Sequence, residues 1–285
     1  MAYILEAHNI TKYYGSNLIF KNVNFTLEQG EKAGLIGDNG VGKTTFMNCL
    51  MGKEEIDEGA IRLRAGCSVG YLEQIPVYKE DTTLISLVME VFADVFAKRN
   101  LLAKLEKEMS QVQGEELEKL LRQYGTLRDE YEVAGGFACE AQARKVLYGL
   151  GFKEDDFQRP FAGFSGGEKT RISLARALAR EQDVLFLDEP TNHLDIDSIE
   201  WLENYLKSYK GALLIISHDR YFLDQVTNVT YNMEKHSLKR YKGNYTVFIK
   251  QKTVEDEAAL KAYEKQQEEI KKTEEFIMRY RAGIK

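Results

Sequence analysis

The sequence predicts an α/β fold interrupted by an all-helical insertion and ending in one extended polar helix. Three observations carry this. The run Gly37-Asp38-Asn39-Gly40-Val41-Gly42-Lys43-Thr44-Thr45 follows a short apolar stretch, Ala33-Gly34-Leu35-Ile36, and precedes a segment of helical character, Phe46–Leu50. Two continuous apolar runs, Val184–Leu187 and Ala212–Ile216, enclose a helix-like segment, Ile196–Ser208. Such runs mark strands buried on both faces of a parallel sheet, and the helix between them is the crossover that parallel strands require. From about residue 77 to residue 160 the apolar residues recur with helical period, and Pro76 and Pro160 stand at the two ends.

Around the glycine-rich run, Ile4–Ile10, Val23–Leu27 and Ile61–Leu63 read as strands, and Val69-Gly70-Tyr71-Leu72 is strand-like. The insertion opens with Leu84, Leu87, Val88, Val91, Phe92, Val95 and Phe96, which fall on one face of a single helix. Asp81-Thr82-Thr83 ahead of it supplies N-cap candidates. Leu101, Leu102, Leu105 and Met109 continue the period. Leu117, Leu120, Leu121, Tyr124, Leu127 and Tyr131 form a second stripe, and Ala143, Val146, Leu147 and Leu150 a third that stops at Gly151. From Thr253 to Ile277 there is neither Gly nor Pro, and Glu257–Lys261 and Glu268–Lys272 are i,i+4 pairs in the favourable orientation. With so few apolar residues, that helix is expected to project into solvent or lie against a partner. The expected division is a core in two parts, 1–76 and 161–246, a helical subdomain with an arm-like insertion at 77–160, and a helical extension at 247–285.

Composition narrows the function. Of 285 residues, 29% are charged and 44% hydrophobic, a globular profile and not a disordered one. No apolar run reaches the length of about 18 residues that suggests a membrane span, so no membrane insertion is expected. The first residues, Met1-Ala2-Tyr3-Ile4-Leu5-Glu6, lack a basic flank followed by an apolar stretch, so no secretory signal is expected. Cys49, Cys67 and Cys139 are scattered without metal-ligand spacing, which fits reduced thiols in a cytoplasm. The net charge of −6 does not advertise nucleic-acid binding. The basic end, Arg279, Arg281 and Lys285, is a local exception, readable as a solvated helix end or as a tip that approaches phosphate.

Strand, glycine-rich loop and helix is the context that makes G-x-x-x-x-G-K-[ST] a phosphate-binding loop. Glycines let successive N–H groups face one anion, and the helix N-terminus adds the positive end of its dipole. Lys43 then reaches the β- and γ-phosphates of a nucleoside triphosphate, and the Thr44 hydroxyl ligates magnesium. Asp188 and Glu189 end an apolar strand. Asp188 suits the magnesium shell through water, and Glu189 can orient or deprotonate the attacking water. Ser165-Gly166-Gly167-Glu168 reads as a capping box for a helix over Lys169–Arg180. A cap needs no Gly-Gly pair, however, and bare N–H groups at a helix start suit a second anion.

In this order the motifs resemble those of the ATP-binding cassette ATPases over residues 3–245: the phosphate loop Gly37–Thr45, the signature Ser165–Glu168, the acidic pair Asp188-Glu189 and the following loop Asn192-His193-Leu194-Asp195. The resemblance implies a P-loop ATPase core on a mixed β-sheet. It also implies a glutamine after the strand before the helical subdomain, Gln74, in the metal shell and beside the reaction. A histidine ending a later strand, His218, belongs at the γ-phosphate, and an aromatic near the N-terminus, Tyr14, stacks on adenine. Such cassettes pair head to tail, so Ser165 completes a site of the partner, and an isolated cassette should hydrolyse ATP weakly.

Phe164-Ser165-Gly166-Gly167-Glu168-Lys169-Thr170-Arg171, Ser217-His218-Asp219-Arg220-Tyr221-Phe222-Leu223-Asp224 and Tyr241-Lys242-Gly243-Asn244-Tyr245 resemble the ABC-F class in particular. That class carries two cassettes joined by a helical linker that reaches transfer RNA on the ribosome. The chain is then expected to be the N-terminal half of a longer protein, with residues 247–285 opening the linker. A second cassette, the ribosome and transfer RNA are the expected partners, in either a translation factor or an antibiotic-resistance protein. The alternative is the ATP-binding subunit of a membrane transporter.

Overall fold

β1 (Tyr3–Tyr14) and β2 (Asn17–Glu28) form a long antiparallel hairpin, and β3 (Lys32–Ile36) leads into the glycine-rich loop and α1 (Lys43–Leu50). β4 (Glu58–Leu63) pairs antiparallel with β1, giving a three-stranded sheet in the order β2-β1-β4. The computed structural model describes residues 3–72 and 81–282. Asn9 and Asn22 take positive φ where the β1 register shifts, so the hairpin bends through bulges and runs further than the expected strands 4–10 and 23–27.

β5 (Val69–Tyr71) is followed by the helical segment. The single stripe expected over Leu84–Phe96 is two helices, α2 (Leu84–Met89) and α3 (Ala93–Met109), joined by a 3₁₀ turn at Glu90–Phe92. Leu84, Leu87, Val88, Phe92 and Val95 are buried all the same. The break has a visible cause. Arg180 gives one N–H to the Val91 carbonyl at 3.2 Å and clamps the Asp94 carboxylate with both Nη atoms at 2.6 and 2.9 Å. That draws a helix carbonyl out of the i→i−4 ladder. At the start, Thr83 is the cap, its hydroxyl accepting the Ser86 amide. α4 (Glu115–Val133) returns antiparallel to α3, and α5 (Cys139–Gly149) packs back toward the core.

After α5 come α6 (Gly166–Ala179), β6 (Val184–Asp188), α7 (Ile196–Ser208), β7 (Ala212–Ile216), α8 (Arg220–Val226), β8 (Val229–Glu234), β9 (Ser237–Lys242) and α9 (Tyr245–Ala282). The second sheet runs β5-β6-β7-β3-β8-β9. Its first five strands pair in parallel and β9 pairs antiparallel with β8, so the sheet is mixed. Alternation along β6 and β7 explains their unbroken apolar character. Val184, Phe186, Leu214 and Ile216 face a core shared with the three-stranded sheet and α1. Leu185, Leu187, Leu213 and Ile215 face the helices on the other side. Phe46 of α1 is wedged edge-on between Phe20 and Phe25, with centroids 5.5 and 5.6 Å away, which fixes α1 between the two sheets.

α9 starts earlier than the expected 253–277. Phe248 is buried against Tyr241 at 5.0 Å, so the first turns of α9 belong to the core. Every described side chain from Thr253 to Glu274 is exposed.

The helical segment meets the core where Trp201 of α7 lies flat over Gly149 of α5, and a methyl at Gly149 would overlap the indole. Gly149→Ala should therefore cost about 1–3 kcal/mol of stability by overpacking. The emission of the chain's one tryptophan should shift as well. Denaturant unfolding followed at Trp201 measures both, and an unchanged midpoint would remove this contact from the account.

Candidate functional site

The phosphate-loop residues follow directly from β3. Gly37 has φ +150° and a side chain there would strike the Met233 carbonyl, while Gly42 has φ +105° and faces the Ile19 methyl. Both positions therefore need glycine. No side chain caps α1, so the amides of its first turn have no side-chain acceptor. Lys43 is 8% exposed, and its Nζ donates to the Gly37 and Asp38 carbonyls at 2.8 and 3.0 Å. The ammonium is thus held beneath the loop by its own backbone.

Three neighbouring strands end beside this loop. Thr44 Oγ1 donates to Asp188 Oδ2 at 2.9 Å, tying α1 to the end of β6. Glu189 has φ +49°, an uncommon conformation for a residue with a side chain, and its amide donates to Ile216 O at 2.8 Å. That bond fixes the turn against the end of β7. Glu189 Oε2 accepts the His218 amide at 3.2 Å, while Oε1 lies 3.6 Å from His218 Nε2 and is buried without a hydrogen-bond partner. A buried carboxylate oxygen without a hydrogen-bond partner keeps the capacity to accept a proton from a water. The His218 side chain is 60% exposed.

Two clefts flank the loop. One, of about 500 Å³, is walled by Thr44, Leu72, Asp188, Glu189 and Asn192, with Arg171 of α6 opposite. The other, of about 380 Å³, is walled by Asn39, Lys43, His218 and Arg220, with Tyr245 of α9 at its rim.

Ser165 caps α6. Its hydroxyl accepts the Glu168 amide at 3.4 Å, and Glu168 Oε2 accepts the Ser165 amide at 2.7 Å, so the capping box forms. The Ser165 amide holds the Glu168 carboxyl below the usual carboxylate range, with Arg159 adding at 3.3 Å. The His193 ring packs over Gly167, whereas Gly166 is open. None of Ser165, Gly166, Gly167 and Glu168 lines either cleft. Tyr14 sits at the β1–β2 tip, 48% exposed, its hydroxyl bonded to Glu54 and its ring 5.2 Å from the Lys12 ammonium. Its contacts do not reach Gly37–Thr45. Gln74 lies outside the described residues.

The structure thus brings Lys43, Thr44, Asp188, Glu189 and His218 together and leaves the signature apart. Sequence reasoning assigned no role to Arg220, Asn232, Tyr245 and Phe248, which line the second cleft. The one signal for Arg220 and Tyr245 is that they fall within the segments 217–224 and 241–245 that resemble the ABC-F class.

An ABC transporter profile matches residues 20–192, and a second, also described as ABC transporter, matches residues 231–285. The ABC transporter ATP-binding protein YfmM of Bacillus subtilis is 36% identical over 99% of this chain and 54% of its own length. ABC transporter F family member 5 of Arabidopsis thaliana is 36% identical over 98% of this chain and 41% of its own length. The chain spans about half the length of the curated relatives it matches, or less. Among solved structures, an ATP-binding subunit of an ABC transporter superposes with a TM-score of 0.62 at 19% identity, over 84% of this chain and 90% of that one. CbiO1 of Clostridium perfringens gives a TM-score of 0.58 at 21% identity, over 91% and 96%. These two likenesses concern the fold. The chain belongs to the ABC transporter ATPase family, and its relatives include F family members.

Proposed function

We propose that this chain binds magnesium–ATP on Gly37–Thr45 and hydrolyses it when a second cassette closes over the site. The observation that carries the reading is the convergence of Lys43, Thr44, Asp188, Glu189 and His218 at the ends of β3, β6 and β7. The backbone from Gly37 to Thr45 cradles the phosphates, and Lys43 exchanges its loop carbonyls for phosphate oxygens. Glu189, with Oε1 free, orients the attacking water, and His218 stands beside it at the terminal phosphate. Tyr14 takes the adenine face.

Among the described residues no cluster of three or more His, Cys, Asp or Glu side chains is disposed to hold a metal alone. The hydroxyl of Thr44 and the carboxylate of Asp188, side by side, suit an ion that draws its remaining oxygens from phosphate and water. Thr44, Gln74 and, through water, Asp188 would hold magnesium, which neutralises phosphate charge.

Ser165–Glu168 serves the partner's nucleotide, which accounts for its absence from both clefts. Residues 1–76 and 161–246 act as the ATP-binding core, 77–160 as the helical subdomain and 247–285 as the start of the link to the second cassette. The partner reading is an ABC-F protein acting on ribosomes and transfer RNA, supported by the F family relatives and the exposed stem of α9. Pelleting of the protein carrying Glu189→Gln with ribosomes in ATP tests it. ATP-independent or absent co-sedimentation would count against a ribosomal role. Among the described residues no helix is long and apolar enough to cross a membrane.

Lys43→Ala should remove a charge-assisted phosphate contact and weaken ATP binding by ~10- to 100-fold, about 1.5–3 kcal/mol. Calorimetry decides, and an unchanged affinity would strip Lys43 of its role. Glu189→Gln keeps the shape and loses the base, so ATP should still bind while hydrolysis falls by roughly 10²-fold or more. His218→Ala should slow turnover too. If Glu189→Gln turns over at the parent rate, another residue orients the water.

A further inference from the structure

The second cleft holds a cation to which the reading above gives no task. Arg220, the first residue of α8, is exposed and lines the cleft together with Asn39 and Lys43. Its guanidinium lies 5.9 Å from the centre of the Tyr245 ring, and among the described residues no carboxylate pairs with it. The cleft lining contains one acid, Asp38, against the two cations Lys43 and Arg220 with His218 beside them. Two positive groups lining one cleft beside a phosphate loop attract a polyanion.

α8 also joins this cleft to the long helix. Asp219 begins it, accepting the Phe222 amide at 3.0 Å, directly after His218. One turn on, Asp224 accepts the Thr246 amide at 2.7 Å, and its carbonyl accepts the Asn244 side-chain amide at 3.2 Å. Positions 220 and 224 share a helix face, one set at the cleft and the other gripping the first turn of α9. A helix of about two turns, tied at both ends, links the cleft to the root of α9.

We propose that Arg220 contacts the terminal phosphate of the nucleotide bound at Gly37–Thr45, and that Tyr245 and Asp224 carry that contact into α9. The proposal rests on the nucleotide reading above. Arg220 thereby distinguishes triphosphate from diphosphate, because ADP lacks the phosphate it contacts.

The test is calorimetric titration of the protein and its Arg220→Gln and Arg220→Lys variants with magnesium–ATP and magnesium–ADP. Arg220→Gln should lose ~10-fold in ATP affinity and nothing in ADP affinity, with the lysine variant between the two. Retained ADP binding also shows that the variant is folded. If Arg220→Gln binds neither nucleotide, the lysine variant decides. Equal losses for ATP and ADP, or none, overturn the proposal and leave the nucleotide reading standing, with a negatively charged group on a partner cassette as the occupant. A parent protein that binds neither nucleotide would sink both. As a second readout, Tyr245→Trp should change emission with ATP and not with ADP, beyond any response of Trp201 in the parent, and should lose the change when combined with Arg220→Gln. An identical response to both nucleotides contradicts the link into α9.

Discussion

Leu35 of β3 and Asp188 of β6 both lie level with Ile216 of β7. The phosphate loop, the acidic pair and the Ser217-His218 turn therefore leave the parallel sheet at one edge. Asp188 closes β6, Glu189 follows it, His218 stands two residues beyond β7, and Lys43 and Thr44 open α1 at the end of the loop that leaves β3. Slipping one strand by a single residue would exchange Phe186 with Leu187, or Ile215 with Ile216, between two different cores, so burial on both faces locks the register. The site inherits its geometry from that lock. Ligands of open α/β sheets bind beyond the carboxyl ends of the strands for this reason.

The same architecture sets the start of α6 apart from the phosphate loop. Ser165–Glu168, closed into the α6 capping box, line neither cleft beside the phosphate loop, and the turn at Glu189 buries a carboxylate oxygen without a hydrogen-bond partner. On the proposed reading, a cassette that supplies phosphate contacts from one edge and a signature from another has one complete site only in a pair. That reading makes coupling between nucleotide and assembly a consequence of the separation itself.

Much of this was legible in the sequence. The buried runs at 184–187 and 212–216, the phosphate loop and the Ser165–Glu168 cap each carry a local physical signature that tertiary packing reinforces. Other elements lacked one. The β8–β9 hairpin turns at Lys235-His236, both at positive φ, without the Asn-Gly or Asp-Gly pair that usually betrays such a turn. The break between α2 and α3 comes from Arg180, some ninety residues away in sequence, and no periodicity along 84–96 could reveal it. The root of α9 is buried through Tyr241 and Phe248, which lie ahead of the polar stretch that drew attention to the helix. For the site, the ends of strands were readable and the walls were not, because Arg220 and Tyr245 meet only in three dimensions.

Steady-state ATP turnover per chain, followed across a wide range of protein concentration, tests most directly whether the site is completed by a second cassette. If Ser165 of one chain must reach the phosphate loop of another, turnover per chain is low when dilute and rises with concentration as chains pair. Turnover that is fast and flat across the range would mean that one cassette carries a whole site, and would contradict the account.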